Sequence, residues 1–243
     1  MHRISLPKCT ILRLLPVPSH VVRPFQLLAQ TSSPDSTLLK LVRRGDEYLI
    51  LAGTAVLMSS RTHGSEEALA TLACQRARTL ERPSVLIGGL GMGFTLRATL
   101  DLLPAHAMVV VAELLPAVVE WNHGPLGPLA GHALKDKRVR VETADVAATL
   151  RSRPGQFDAV LLDVDNGPAA LATVSNAALY DTRGIAAAHA ALKPQGVLAV
   201  WAANDDRKFA QRLRAAKFKV QVHHTHSHLN RGARHTIFLS HKS

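Results

Sequence analysis

The sequence predicts an α/β fold: a doubly wound, mostly parallel seven-stranded sheet that closes with a C-terminal antiparallel hairpin, preceded by a small N-terminal β element. Three observations predict it. Val85-Leu86-Ile87 is a short continuous apolar run, the pattern of a strand buried on both faces, and it breaks at Gly88, Gly89, Gly91 and Gly93 before helical spacing begins, with Leu96 and Leu100 four apart. Apolar runs of the same kind recur at 108–112, 157–162 and 196–201, with helical or turn-rich stretches between them. Acidic residues stand at three predicted strand ends, Glu113, Asp145 and Asp163.

At 243 residues the chain suits one full α/β domain with a small appendage. The expected division is a basic tail over 1–35, a small β element over 36–60, and the main domain over 61–243. Residues 1–33 contain no acid, and prolines at 7, 16, 18 and 24 break any long helix. Short strands are expected at 38–42 and 48–51 across the polar link Arg43-Arg44-Gly45-Asp46-Glu47, with a third at 55–58. Ser65, followed by Glu66 and Glu67, reads as a helix start running to about Arg78.

After the glycine turn a helix is expected over 94–103, ended by Pro104, then a strand over 108–112. Pro116 opens the next helix. A strand over 138–141 leads to a short helix over 147–151, and the strand over 157–162 ends at Asp163. One or two helices around Tyr180 precede the strand at 196–201, and a helix over 205–216 follows it. Residues 218–224 and 235–239 pair around Asn230-Arg231-Gly232.

The formal net charge of +11 raises the question of a nucleic-acid or other polyanionic partner. Much of that excess lies at the two ends, whereas the block from about 84 to 204 is close to balanced. Two cysteines, Cys9 and Cys74, form neither a disulfide framework nor a metal spacing, so a reducing, cytoplasmic setting is expected. No apolar run is long enough to span a membrane.

The strand ends carry the chemistry. In doubly wound folds the ligand sits outside the carboxyl ends of the strands, and glycines there let the backbone approach it closely. Gly89-x-Gly91-x-Gly93 fits the short glycine form, and without a following Lys-Ser/Thr it is not a P-loop. Glu113 follows Gly93 by 20 residues, the spacing at which a carboxylate meets a ribose diol. Asp145 is placed to accept from an exocyclic amine such as that of adenine. Together these describe an adenosyl pocket, with Asp163 nearest the reaction centre and no metal required.

Residues 84–168 resemble the core of the spermidine synthase (polyamine aminopropyltransferase) family, within the Rossmann-like fold of class I S-adenosylmethionine-dependent methyltransferases. The matching pieces are VLIGGLGMGFTLRATL, VVVAELLPAVVEW, VETAD and FDAVLLDVDNGP, with LYDTRGIAAAHAALKPQGVLAVWAAN downstream and YLILAGTAVLMSSR upstream. The resemblance implies that Gly89, Gly91, Gly93 and Glu113 hold decarboxylated S-adenosylmethionine as donor, that Asp145 contacts adenine, and that Asp163 is the catalytic base. It also implies that Asp165 or Asn166, Tyr180 and Glu67 line the site of a small-molecule amine acceptor, and that the protein is a homodimer. The chain departs from the family pattern in its glycine loop, which lacks an Asp. Upstream, Ser65-Glu66-Glu67 stands for a Tyr-His-Glu, with Glu67 the surviving acid.

Aminopropyl transfer suits these residues, because a carboxylate can orient an ammonium and take its proton as the new bond forms. Two alternatives remain open: methyl transfer from S-adenosylmethionine to an unassigned acceptor, and non-catalytic adenosyl binding. His224, His226 and His228 share a face if their segment is a strand, but no Cys or acid joins them, so a solvated edge is expected.

Overall fold

Side chains alternate along the central strands, and both faces of the sheet are covered. The computed structural model describes residues 24–164, 178–228 and 231–243. Four strands, β1 (Gln26–Ser32), β2 (Leu38–Arg44), β3 (Glu47–Ala52) and β4 (Ala55–Ser59), form an antiparallel meander. The seven-stranded sheet contains β5 (Ser84–Gly88), β6 (Met108–Glu113), β7 (Val139–Thr143), β8 (Phe157–Leu162), β9 (Leu192–Ala202), β10 (Phe218–His228) and β11 (Arg231–Lys242). Its spatial order is β10-β11-β9-β8-β5-β6-β7. β5 to β9 run parallel, and β11 pairs antiparallel with both β9 and β10.

The helices are α1 (Gly64–Ala73), α2 (Phe94–Leu102), α3 (Pro116–His123), α4 (Val146–Ser152), α5 (Thr182–Ala191) and α6 (Arg207–Ala215). On one face Val85, Ile87, Val109, Val111, Ala159 and Leu161 pack with Leu69 of α1, Leu96 of α2 and Val118 of α3. On the other, Leu86, Val110, Val160 and Leu198 pack with Leu150 of α4, Ile185 of α5 and Phe209 of α6. Adjacent strand residues thus serve opposite layers, which explains the unbroken apolar runs.

The small sheet is not a detached appendage, since Leu39, Leu41 and Ile50 belong to the same buried cluster as α1 to α3. β1 lies within the 1–35 stretch expected to be a tail. Its residues follow the last of the N-terminal prolines, Pro24, and pair antiparallel with β2. α1 begins one residue before Ser65 and ends at Ala73, short of Arg78. Among the described residues no helix is long and apolar enough to cross a membrane.

At the amino ends of the strands, buried Asp158 accepts from the Ser84 backbone N–H (2.8 Å) and from Lys193 Nζ (2.6 Å), with Arg76 at 3.6 Å. It joins β8, β5 and β9 at the edge opposite the glycine turn. Removing it leaves the buried Ser84 N–H unpaired. Asp158→Ala is expected to lower the urea-derived unfolding free energy by about 1–3 kcal/mol.

Candidate active site

Strand order reverses between β5 and β8, and the chain leaves these two neighbouring strands into the same space. Two backbone hydrogen bonds fix the exit: Gly89 N–H donates to Ala112 O (2.9 Å) and Asp163 N–H donates to Gly88 O (2.9 Å). Gly89 has φ +87°, and a Cβ there would strike the Asp163 carbonyl oxygen. The close approach of the turn to the acidic strand end therefore needs glycine at 89. Gly91 (φ +52°) and Gly93 (φ +83°) complete the turn, and Gly93 is the N-cap of α2.

The turn is braced from the β6 side. Buried Glu113 accepts from Leu90 N–H (2.8 Å) through one carboxylate oxygen and from Leu115 N–H (2.9 Å) through the other. Asn122 Nδ2 donates to Gly91 O (2.8 Å) and to Val118 O (2.9 Å). The residue expected at a ribose thus also shapes the turn. A carboxylate has about four acceptor sites, so the two roles are compatible.

Asp163 receives a hydrogen bond from Thr95 Oγ1 (2.6 Å), a buried hydroxyl in the first turn of α2. Burial pushes the Asp163 carboxyl up, the nearby charge of Glu66 pushes it further, and Thr95 offsets this only in part, leaving it at about 7. Glu66, 8% exposed, is itself raised by burial, opposed by the hydrogen bond from Ser65 Oγ (2.6 Å). Helix α1 thus brings a second carboxyl to the strand end, and the two acids cannot both ionise freely.

Glu66 is the acid near Asp163 that sequence reasoning did not single out. Glu67, expected to be the surviving acid, points outward with its side chain 57% exposed and meets His63 Nδ1 at 2.8 Å. The cause is helical phase: Ser65, Glu66, Leu69, Ala70 and Ala73 form the inner face of α1, and position 67 falls outside it. Ser65 lies inside the helix rather than capping it, and its buried hydroxyl serves Glu66. His63 stacks on Phe94, with ring centroids 4.2 Å apart, which ties α1 to the start of α2.

Asp145 caps α4, accepting from Ala147 N–H at 2.9 Å, while its second oxygen lies 4.0 Å from Arg151. Tyr180 is buried edge-on to Phe209, and its hydroxyl donates to Val164 O (3.2 Å), which steadies the residue after Asp163. Asp165 and Asn166 lie outside the described residues. The Cys74 thiol, buried and pushed up to about 12, is not poised as a nucleophile. Among the described residues no group of three or more His, Cys, Asp or Glu is arranged to hold a metal ion.

The fold is that of the spermidine synthases. The spermidine synthase of Thermotoga maritima superposes with a TM-score of 0.69 at 19% identity, over 89% of this chain and 73% of that one. A spermidine synthase in complex with the transition-state analogue AdoDATO gives 0.68 at 18% identity, over 89% and 72%. A probable spermidine synthase from Corynebacterium glutamicum gives 0.58 at 15% identity, over 89% and 80%. Neither a protein-family model nor a curated protein sequence matches the chain.

The raised Asp163 carboxyl has a consequence for stability. With its folded value near 7 against an ordinary 3.8, the native state binds the proton more tightly than the unfolded chain does. Stability is therefore lost as pH rises from about 4 to about 7, and the cost is complete above that window. Asp163→Asn keeps an acceptor for Thr95 and removes the cost. Its melting temperature is expected to exceed that of the wild type at pH 8 and to converge with it near pH 4, as read by calorimetry.

Proposed function

We propose that this protein is an aminopropyltransferase of the spermidine synthase type, moving the aminopropyl group of decarboxylated S-adenosylmethionine to an amine acceptor. The observation that carries this reading is that Asp163, held by Thr95 beside the glycine turn, feels the charge of Glu66 on the buried face of α1. An amino tail without a carboxylate is attracted to such a pair. The α-carboxylate of S-adenosylmethionine would face two acids in a partly desolvated site, where like charges repel strongly. The charge of the site therefore selects the decarboxylated donor and disfavours methyl transfer.

The adenosyl part fits the turn. Glu113 takes the ribose diol while holding the Leu90 amide, and Asp145 takes the adenine amine with the oxygen not used in capping. In the reaction the acceptor nitrogen attacks the carbon next to the sulfonium. The N–C bond forms as the C–S bond breaks, methylthioadenosine leaves, and the ammonium proton passes to Asp163. A carboxyl near 7 is well matched to that proton transfer at neutral pH. Glu66 supplies the second negative charge that a glycine-loop acid would otherwise give. Thr95 and Tyr180 position Asp163 and the residue after it.

Parallel calorimetric titrations with decarboxylated S-adenosylmethionine, S-adenosylmethionine and methylthioadenosine test the reading. The decarboxylated donor and methylthioadenosine are expected to bind more tightly than S-adenosylmethionine, and Glu66→Gln to narrow that gap at least tenfold. Tighter binding of S-adenosylmethionine by the wild type would turn the assignment to methyl transfer, and binding of none would remove the adenosyl pocket. The pH profile of turnover with an amine acceptor gives a second check. Its acid limb is expected near pH 7 and should move to lower pH in Glu66→Gln, because removing the neighbouring charge lets Asp163 ionise more easily.

A further inference from the structure

Much of the chain's +11 charge lies in a C-terminal segment that the candidate active site does not use. Between residues 205 and 243 there are nine Lys or Arg and two acids, and no acid follows Asp206. These residues form α6, the outermost strand β10 and its partner β11. Arg207, Lys208 and Arg214 of α6 are exposed, as are Lys217 and Lys219 beyond it. Among the described residues none of these five has an ion pair, whereas the neighbouring Arg212 meets Asp206 at 3.8 Å.

Helix stability does not account for this arrangement. Cations in the last turn of α6, Arg212 and Arg214, suit the negative end of its dipole. Arg207 and Lys208 occupy its first turn, where the dipole disfavours them, and Lys208 repels Arg212 one turn on. Asp205 and the N-cap Asp206 stand beside them, but among the described residues neither Arg207 nor Lys208 forms an ion pair, so both cations remain available to a partner outside the helix.

A groove of about 300 Å³ lies between α6 and β10, lined by Asp205, Arg207, Gln211, Arg214, Val222 and His224. Arg207, Gln211 and Arg214 stand at i, i+4 and i+7, so they share one face, with the two guanidinium-bearing positions about 10 Å apart along the axis. The lining offers forked donors and an amide but no Phe, Tyr or Trp ring. It therefore suits phosphate oxygens spaced along a chain better than stacked bases.

We propose that the α6–β10 face is a docking surface for nucleic acid, which it holds through the phosphodiester backbone without reading sequence. The groove shares no lining residue with the Asp163 site, and the inference does not depend on the reaction assigned to that site.

Fluorescence anisotropy with a 20-base-pair duplex, from 50 to 200 mM salt, tests it on the full chain. The wild type is expected to bind with an affinity that falls linearly in log–log form as salt rises, and to bind duplexes of unrelated sequence alike. Arg207→Glu/Lys208→Glu/Arg214→Glu should lose at least tenfold in affinity at 100 mM salt and reduce the slope by about 2–3. The first two changes place acids in the first turn of a helix, where they favour folding. Should the triple reversal fail to fold, the corresponding Gln variant reports the same loss with a smaller amplitude.

A matched control, Arg78→Glu/Arg82→Glu/Lys137→Glu, changes the net charge equally at exposed positions outside the groove and should leave affinity within about twofold of the wild type. The proposal is overturned if the wild type does not bind at 50 mM salt, if the control loses as much as the groove variant, or if the groove variant binds as the wild type does. Competition by polyglutamate as effective as that by duplex at equal charge would overturn the nucleic-acid assignment in favour of an acidic protein.

Discussion

The pairing of β5 with β8 is the constraint on which the candidate site depends. Where strand order reverses, the Asp163 N–H donates to the Gly88 carbonyl, and the glycine turn and the acidic strand end become one rigid piece of backbone. The absence of a side chain at Gly89 lets them meet. Everything else attaches to that junction. Glu113 and Asn122 hold the turn from the β6 side, and Thr95 reaches Asp163 from α2. α1 crosses the same region and delivers Glu66. Both sheet faces are buried, so the junction has little freedom to relax, and the carboxyl groups at its mouth keep their cost.

The charge logic of the site differs from what a motif reading suggests. The glycine loop of this chain carries no acid, yet the structure sets a second carboxyl beside Asp163 by drawing on a different element. A negative charge acts through distance and dielectric, not through its place in the sequence. Glu66 on a helix and an acid in the loop are interchangeable to the extent that they reach the same point. The three spermidine synthases that share this fold do so at 15–19% identity.

Much of the fold was legible in the sequence. The buried strands are continuous Val, Leu and Ile runs because each alternates between two apolar layers, and few arrangements besides a doubly covered sheet produce that pattern. The three acids at strand ends were legible for the same reason: Glu113 closes β6, Asp163 directly follows β8, and Asp145 lies two residues beyond β7. β1 was not legible, since it is half-exposed, lies beside prolines, and becomes a strand only by pairing with β2. The choice between Glu66 and Glu67 was not legible either. It depends on the phase of α1, which begins at Gly64 without a side-chain cap, and a rotation of one residue exchanges the inner acid for the outer. The bracing of the glycine turn by Glu113 involves backbone amides 2 and 23 residues away, contacts that no spacing rule encodes.

The Glu66–Asp163 pair also ties ligand binding to the surrounding buffer. A carboxyl held near 7 is partly protonated at physiological pH, so a cation entering the site displaces a proton into solution. The heat of binding then contains the ionisation enthalpy of whichever buffer accepts that proton, and differs between phosphate and Tris at the same pH. The apparent affinity for a cationic ligand rises with pH until both acids are ionised. The two carboxyls therefore carry less negative charge than they formally allow, and a cationic ligand would draw out the remainder.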